Sequence, residues 1–465
     1  MRITVQDLGT IKEGSISLDK SLTVLVGPNN SGKSYISYLI YGFRADIGKN
    51  GYVNDLIKVN DVDIGKDKDG YSYINIKELL IRNCKEVAIY LTKYINNNLT
   101  NYFSSNKISA KITLPKLEDI MIEEIRSKYQ EGKGIDAATE ELGYRIKGEH
   151  FIYQKIGQNV EAKAFFNGFV PFFFGILMNE IWGNNIHFFP TERLALTMLS
   201  NDEVERKSRQ QDELRRLLLA NKGGSEDEII KNFLKGKEGL KTNYPQAIND
   251  YIYFINDLRD TVQQKGDYVD FAEEIEKMLM QGKISVSSFG SINYTPEGKR
   301  EPIEIHISSS FVKSLSGLIL YFRHLAKEGD TIIIDEPEVN LHPNNQRIIA
   351  RVVAKAINKG FKVILSTHSD YIIKELNNLV MLNKANENPK IKKALLADLA
   401  KDGYDEGSYL KKEDLGVYFF NNHTIQELEV DDMGFDVATI DTELDKMTYS
   451  SEHIYYSLFG QQEAE

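Results

Sequence analysis

The chain has one cysteine, Cys84, among 465 residues, so it can close no disulfide on itself. A chain without that staple suits a reducing compartment, and a cytoplasmic protein is expected. No secretory leader is expected either: Met1-Arg2-Ile3-Thr4-Val5 opens directly on strand-forming residues, without a signal-peptide apolar run. No apolar run reaches the ~20 residues that span a bilayer. The most apolar stretch, Ala164 to Met178, is shorter and is interrupted by Asn167. It carries Phe165, Phe166, Phe169, Phe172, Phe173 and Phe174 and reads as a buried helix, so no membrane partner is expected. Positive charge is in deficit, with a net charge of −11. An acidic surface repels the phosphate backbone, so any nucleic-acid contact needs a local basic patch. Zinc-type Cys/His spacing and His/Asn nuclease motifs are absent too.

What remains is a globular balance, 27% charged and 42% hydrophobic. The length allows two or three structural units. The chain is organised around Gly27-Pro28-Asn29-Asn30-Ser31-Gly32-Lys33-Ser34, which fits the phosphate-cradling pattern G-x-x-x-x-G-K-[ST]. Leu22-Thr23-Val24-Leu25-Val26 reads as a buried strand feeding that loop, and Tyr35 to Phe43 as the helix leaving it. Glycines let main-chain N–H groups curl around an anion. The helix start adds unsatisfied donors and the positive end of a dipole. Lys33 brings a charge to the β- and γ-phosphates, and the Ser34 hydroxyl can hold Mg²⁺. A glycine turn capping an ordinary helix would share the bare pattern, but not the strand and helix on either side of it.

Residues 1–26 read as a small β unit of Arg2–Val5, Ser15–Leu18 and the strand before the loop, punctuated by Gly9 and Gly14. Gly51 to Gly70 is polar and reads as a loop. Apolar residues then recur at helical spacing from Ile76 to Phe103 and from Leu117 to Tyr129, so 51–150 is expected to be mainly helical. Ile186-His187-Phe188-Phe189 is a short strand ending at Pro190-Thr191-Glu192-Arg193. From Asp202 to Gln281 a second helical stretch opens with alternating charges. It reads as a solvated face laced with i,i+4 pairs, the alternative being a nucleic-acid or partner-binding arm. Gly223-Gly224-Ser225 and Asn243-Tyr244-Pro245 break it, so it is no long coiled coil. Lys283–Phe289, Ser291–Tyr294 and Pro302–Ile307 read as an antiparallel meander. Thr331–Ile334 and Lys362–Leu365 flank a helix, Asn345–Asn358, and form a βαβ unit with parallel strands.

The second half of the expected site is Thr331-Ile332-Ile333-Ile334-Asp335-Glu336-Pro337-Glu338, a strand ending in acid. Asp335 at the strand end can hold Mg²⁺, and Glu336 is placed to orient or deprotonate an attacking water. Glu338-Val339-Asn340-Leu341-His342-Pro343 is a tight turn. Leu365-Ser366-Thr367-His368-Ser369 ends the next strand, where His368 can donate to a γ-phosphate and report its loss.

These motifs together resemble the ABC-type ATPase heads of the SMC, RecF and OLD kind. Gly-Pro-Asn-Asn-Ser-Gly-Lys-Ser and the Glu-x-x-Leu-His-Pro turn are most similar to the OLD-like bacterial subgroup. That subgroup supplies ATPase subunits of the Gabija, Septu and PARIS antiphage systems. Phe188-Phe189-Pro190-Thr191-Glu192-Arg193 also resembles a proline–acid–arginine segment of that subgroup. The resemblance covers roughly 1–45 and 283–382. It implies an α/β head, a mixed sheet with an antiparallel β subdomain, carrying large helical insertions. The implied divisions are a head part with Walker A at 1–50, helical insertion at 51–185, a head strand at 186–200, a second insertion or short arm at 201–281, the head's second part at 282–382 and a small extension at 383–465.

Such heads imply a homodimer with ATP and Mg²⁺ between one subunit's loop and the other's signature segment. No Leu-Ser-Gly-Gly-Gln is present. Ser308-Ser309-Ser310-Phe311-Val312-Lys313 precedes a helix, which makes Ser309 and Ser310 the expected signature, with Leu315-Ser316-Gly317 as rival. The glutamine that links Mg²⁺ to the helical lobe has no assigned position. Some relatives add a metal-dependent nuclease after the ATPase. Here Glu427, Glu429, Asp431, Asp432, Asp436 and Asp441 lie on an expected hairpin, Thr424–Val430 turning at Met433-Gly434, and read as a solvated acidic edge. The resemblance implies an antiviral ATPase subunit controlling a separately encoded effector such as a nuclease, with a phage protein or DNA as candidate trigger. A DNA-clamping repair or recombination ATPase is the alternative. A transporter subunit is disfavoured by the insertions and the missing signature.

Overall fold

The computed structural model of the chain describes residues 1–50, 64–66, 68, 71–130, 137–139, 144–147, 150–153, 185–198, 244–262, 266–288 and 290–459. The apolar stretch at 164–178, the charged start of the second insertion and most of the 51–70 loop lie outside these residues. The N-terminal strands are β1 (Arg2–Leu8), β2 (Ile11–Ser17) and β3 (Leu22–Val26). The first insertion carries β4 (Gly65–Lys66), β5 (Ser72–Asn75), β6 (Lys111–Thr113), β7 (Ala137–Thr139), β8 (Tyr144–Lys147) and β9 (His150–Tyr153). Then come β10 (Ile186–Phe189), β11 (Gly282–Val286), β12 (Ile292–Pro296), β13 (Ile303–Glu304), β14 (Thr331–Asp335) and β15 (Lys362–Thr367). Last are β16 (Leu415–Asn421) and β17 (Thr424–Leu428).

One nine-stranded sheet runs β10-β14-β15-β3-β16-β17-β2-β1-β6. Its first five strands are mutually parallel, and β16/β17, β2/β1 and β1/β6 pair antiparallel. This is the mixed α/β sheet with an antiparallel part that the sequence implies. β3 and β14 are buried at every position, because parallel strands are covered by helices on both faces. Alternation still decides the face. Leu22, Val24, Val26, Ile332, Ile334, Val363 and Leu365 point into one core, with the helices Ser310–His324, Pro343–Asn358 and Asp370–Lys384. Leu25, Ile333 and Ile364 point into the other, beside the helices Lys33–Asn50, Ile76–Asn97 and Leu117–Gln130.

The helix Ile76–Asn97 buries Ile76, Leu79, Leu80, Cys84, Val87, Leu91 and Ile95. Of the stripe expected from the sequence, Leu80, Cys84, Val87 and Leu91 lie in it, Tyr94 is half-buried, and Leu99 and Tyr102 fall on the next helix, Leu99–Phe103. Asn75 caps the first of these helices by accepting from Glu78 N at 3.0 Å. The 51–150 segment is less helical than expected. A five-stranded sheet, β4-β5-β9-β8-β7, sits within and just beyond it. Its strands are two to four residues long, too short for a period-2 pattern to register. The meander is present as β11-β12-β13, all antiparallel.

The C-terminal segment departs most from expectation. β16 pairs parallel with β3, from Leu415 opposite Leu22 to Phe419 opposite Val26, so the head extends past residue 382. The hairpin around 424–430 is made with β16 across Asn422 and His423, both at positive φ (48° and 63°). Met433-Gly434 closes only an isolated bridge, Asp431 to Gly434. Among the described residues, no helix is long and apolar enough to cross a membrane.

Candidate functional site

Register brings three loops to one edge of the sheet. Asp335 pairs with Ser366, and Thr367 with Val26, so β14, β15 and β3 end level with one another. β15 lies between the other two and carries His368 just beyond its end.

The loop Gly27–Gly32 spans from β3 to the helix that starts at Lys33. Gly27 sits at φ 146°, and a Cβ there would meet Phe420 O at 2.4 Å, so only glycine fits. Gly32 is at φ 105° and packs on Ile11 of β2. Pro28, Asn29 and Asn30 are exposed at the tip. Lys33 is buried, and its Nζ donates to Gly27 O at 2.9 Å and Pro28 O at 3.0 Å. Burial pulls its pKa down, while Glu336, Asp335 and Glu338 oppose that pull. The Ser31 hydroxyl oxygen is buried with no partner, an orphan in a loop built to meet an anion.

Asp335 is the hub. Its Oδ2 accepts from Ser34 Oγ at 2.9 Å and from Thr191 Oγ1 at 3.2 Å, and its Oδ1 accepts from the Ser366 hydroxyl. Burial raises its pKa, and the three hydroxyl donors counter that rise. A carboxylate ringed by hydroxyl oxygens is the hard donor set that suits Mg²⁺.

Glu336 follows at φ 47°, unusual for a residue with a Cβ, and its N–H donates to Ser366 O at 3.1 Å. Two carboxylates share His368. Its Nδ1 lies 3.3 Å from Glu338 Oε1 and 3.7 Å from Glu336 Oε1. Glu336 and then Glu338 raise the imidazole's pKa against the effect of burial, and the Glu336 pKa is lowered in return, chiefly by His368. Glu338 is buried. Its Oε1 also accepts from Thr367 Oγ1 and His368 N, each at 2.8 Å, while Oε2 has no partner.

Lys33, Ser34, Asp335, Glu336 and His368 therefore converge. Ser309 and Ser310 do not join them. Ser309 caps the helix Ser310–His324, accepting from Val312 N at 3.3 Å, and both serines are exposed. The rival Ser316 is fully buried and donates to Lys313 O, so it is no ligand. Among the described residues no glutamine bonds to Asp335 or Ser34. The third hydroxyl on Asp335 comes from Thr191, on the loop after the edge strand β10. Sequence reasoning gave Thr191, Ser366, Glu338 and Arg193 no role. The only signal was that each lies within a segment already singled out. Of the acidic C-terminal residues, Glu427, Glu429, Asp431, Asp432 and Asp436 are exposed, and the Asp441 side chain lies outside the described residues. Glu427 pairs with Arg2 at 2.7 Å, and Asp432 with Lys412 at 2.5 Å. No group of three or more His, Cys, Asp or Glu is placed to hold a metal among the described residues.

Three solved structures overlap the chain loosely. An SMC head domain from Pyrococcus furiosus with an extended coiled coil, bound to the C-terminal domain of ScpA, is 14% identical. The overlap covers 96% of this chain and 98% of that one, at a TM-score of 0.32. An SMC head bound to the C-winged helix domain of ScpA is 14% identical over 80% and 90%, at 0.31. The SMC head domain from Thermotoga maritima is 12% identical over 92% and 98%, at 0.30. No curated protein sequence matches. The family model described as an AAA ATPase domain matches residues 1–373, which takes in the phosphate loop, the acidic strand end and His368. The chain belongs to the AAA ATPase domain family.

Proposed function

We propose that the chain binds ATP with Mg²⁺ and hydrolyses it to ADP and phosphate in a site completed by a second copy. The carrying observation is the meeting of Ser34 and Asp335, 301 residues apart in sequence, at 2.9 Å. Loop N–H groups and Lys33 bind the β- and γ-phosphates, with Ser34 and Asp335 as holders of Mg²⁺. Held by Ser34 and Asp335, such an ion would supply charge neutralisation at the phosphate oxygens. Glu336 orients the water and takes its proton as the water oxygen attacks the γ-phosphorus, and the bond to the bridging oxygen breaks toward ADP. His368 donates to the γ-phosphoryl oxygens and so senses whether that group is present. Ser309 and Ser310, exposed at a helix start, face the partner copy's γ-phosphate across a head-to-head dimer.

The biological setting we propose is an antiphage complex in which head closure controls a separately encoded effector. The Gly27–Ser34 and Glu338–Pro343 motifs support it by their resemblance to the OLD-like subgroup. Phosphate release by the purified full-length chain tests the chemistry. We expect Mg²⁺-dependent turnover that Lys33→Ala lacks; equal release by both proteins would refute the assignment. DNA-stimulated, salt-sensitive turnover would move the setting to DNA repair.

A further inference from the structure

We propose that Arg193 is a positioning residue that couples the Ser309–Ser310 helix start to the acidic turn carrying Glu336. The proposal deepens the hydrolysis reading and rests on it. Arg193 is buried at 2% exposure, and all five of its N–H donors end on main-chain carbonyls. Nε donates to Ser314 O at 3.1 Å. Nη1 donates to Pro190 O at 3.1 Å and Asp335 O at 3.0 Å. Nη2 donates to Glu336 O and Pro337 O, both at 3.1 Å.

Burying a guanidinium is costly, and an apolar side chain would fill the same space more cheaply. The destination of the donors explains the residue. Three carbonyls belong to consecutive residues of the acidic turn, and the middle one is Glu336, held at φ 47°. Main chain in that region needs its surroundings to fix it. A fourth carbonyl, Ser314 O, lies little more than one turn into the helix capped by Ser309. One rigid planar fork thus spans the element proposed to meet the partner's nucleotide and the element proposed to activate water. A shift of that helix on dimer closure is passed to the Glu336 main chain through Arg193. The neighbouring Thr191 fixes the same segment to Asp335 at 3.2 Å.

Lysine keeps the charge but lacks the fork, so Arg193→Lys is the informative change. In the full chain we expect it to fold, to bind a fluorescent ATP analogue within about twofold of wild type, and to lose about tenfold or more in kcat. Millimolar guanidinium should raise the kcat of Arg193→Ala several-fold and leave wild type unmoved. Combined with Ser310→Ala, Arg193→Lys should give a loss no larger than that of the worse single variant, because both act on one unit. Four results would overturn the proposal: kcat of Arg193→Lys near wild type, a kcat loss matched by lost nucleotide affinity, losses that multiply in the double variant, or unfolding of both Arg193 variants. Wild type that hydrolyses no ATP would instead defeat the underlying reading.

Discussion

Glu336 sits between two demands: the turn must hold it at φ 47°, and its carboxylate must stay ionised next to Asp335. His368 serves the second by holding the Glu336 pKa down. We expect Glu336→Gln to keep ATP binding and to lose about 10² to 10⁴ in turnover, the usual worth of a general base. Single-turnover phosphate release checks this, and normal turnover would remove Glu336 from the role. Lys33→Ala should weaken ATP binding about a hundredfold, equivalent to about 3 kcal/mol of charge-assisted contact, as read by nucleotide titration. The imidazole also makes stability depend on pH. A raised folded-state pKa means His368 stabilises fully below its ordinary value near 6.5 and less as pH climbs through the shifted value. Glu336 has a lowered pKa, so its share is present above the ordinary carboxylate value and is lost in acid. The melting-temperature gap between wild type and His368→Gln should therefore be widest near pH 6 and narrow toward pH 9. A gap that widens with pH would contradict the pairing.

At the scale of elements, β3 depends on both its neighbours. β15 covers one edge, and β16, nearly four hundred residues downstream, covers the other. Ending the chain after Lys411 removes β16 and β17 and bares that edge, with Gly27 losing its packing against Phe420. We expect the truncated protein to aggregate and to bind no nucleotide; a soluble, ATP-binding truncation would show that β16 is dispensable. This dependence was not legible in advance. The loop at Gly27–Ser34, the acids at Asp335 and Glu336 and the imidazole of His368 are each written in a short window, so their types and strand-end positions could be read directly. Leu415–Asn421 has the apolar, aromatic character of a strand, but nothing local says that its partner is β3. Thr191 and Arg193 were hidden for the same reason. Their roles come from reaching Asp335 and the following carbonyls, contacts that exist only after β10 aligns beside β14.

At the scale of the whole molecule, one copy brings Lys33, Ser34, Asp335, Glu336 and His368 together but leaves its signature candidate facing outward. Ser309 and Ser310 have their helix start exposed and no bond to their own phosphate loop, as a residue acting on a second copy would. Two copies meeting as proposed would form an isologous pair, each lending its helix start to the other, so both sites would close together or neither would. Slow hydrolysis in Glu336→Gln should then trap the closed pair: with ATP and Mg²⁺ this variant should sediment as a dimer, and with ADP as a monomer. Adding Ser310→Arg places a bulky cation at the interface and removes the small hydroxyl, while leaving Lys33 and Ser34 intact. The double variant should still bind ATP yet sediment as a monomer. A double variant that dimerises like its parent would mean that the heads meet through some other surface, and Ser310 would lose its assignment.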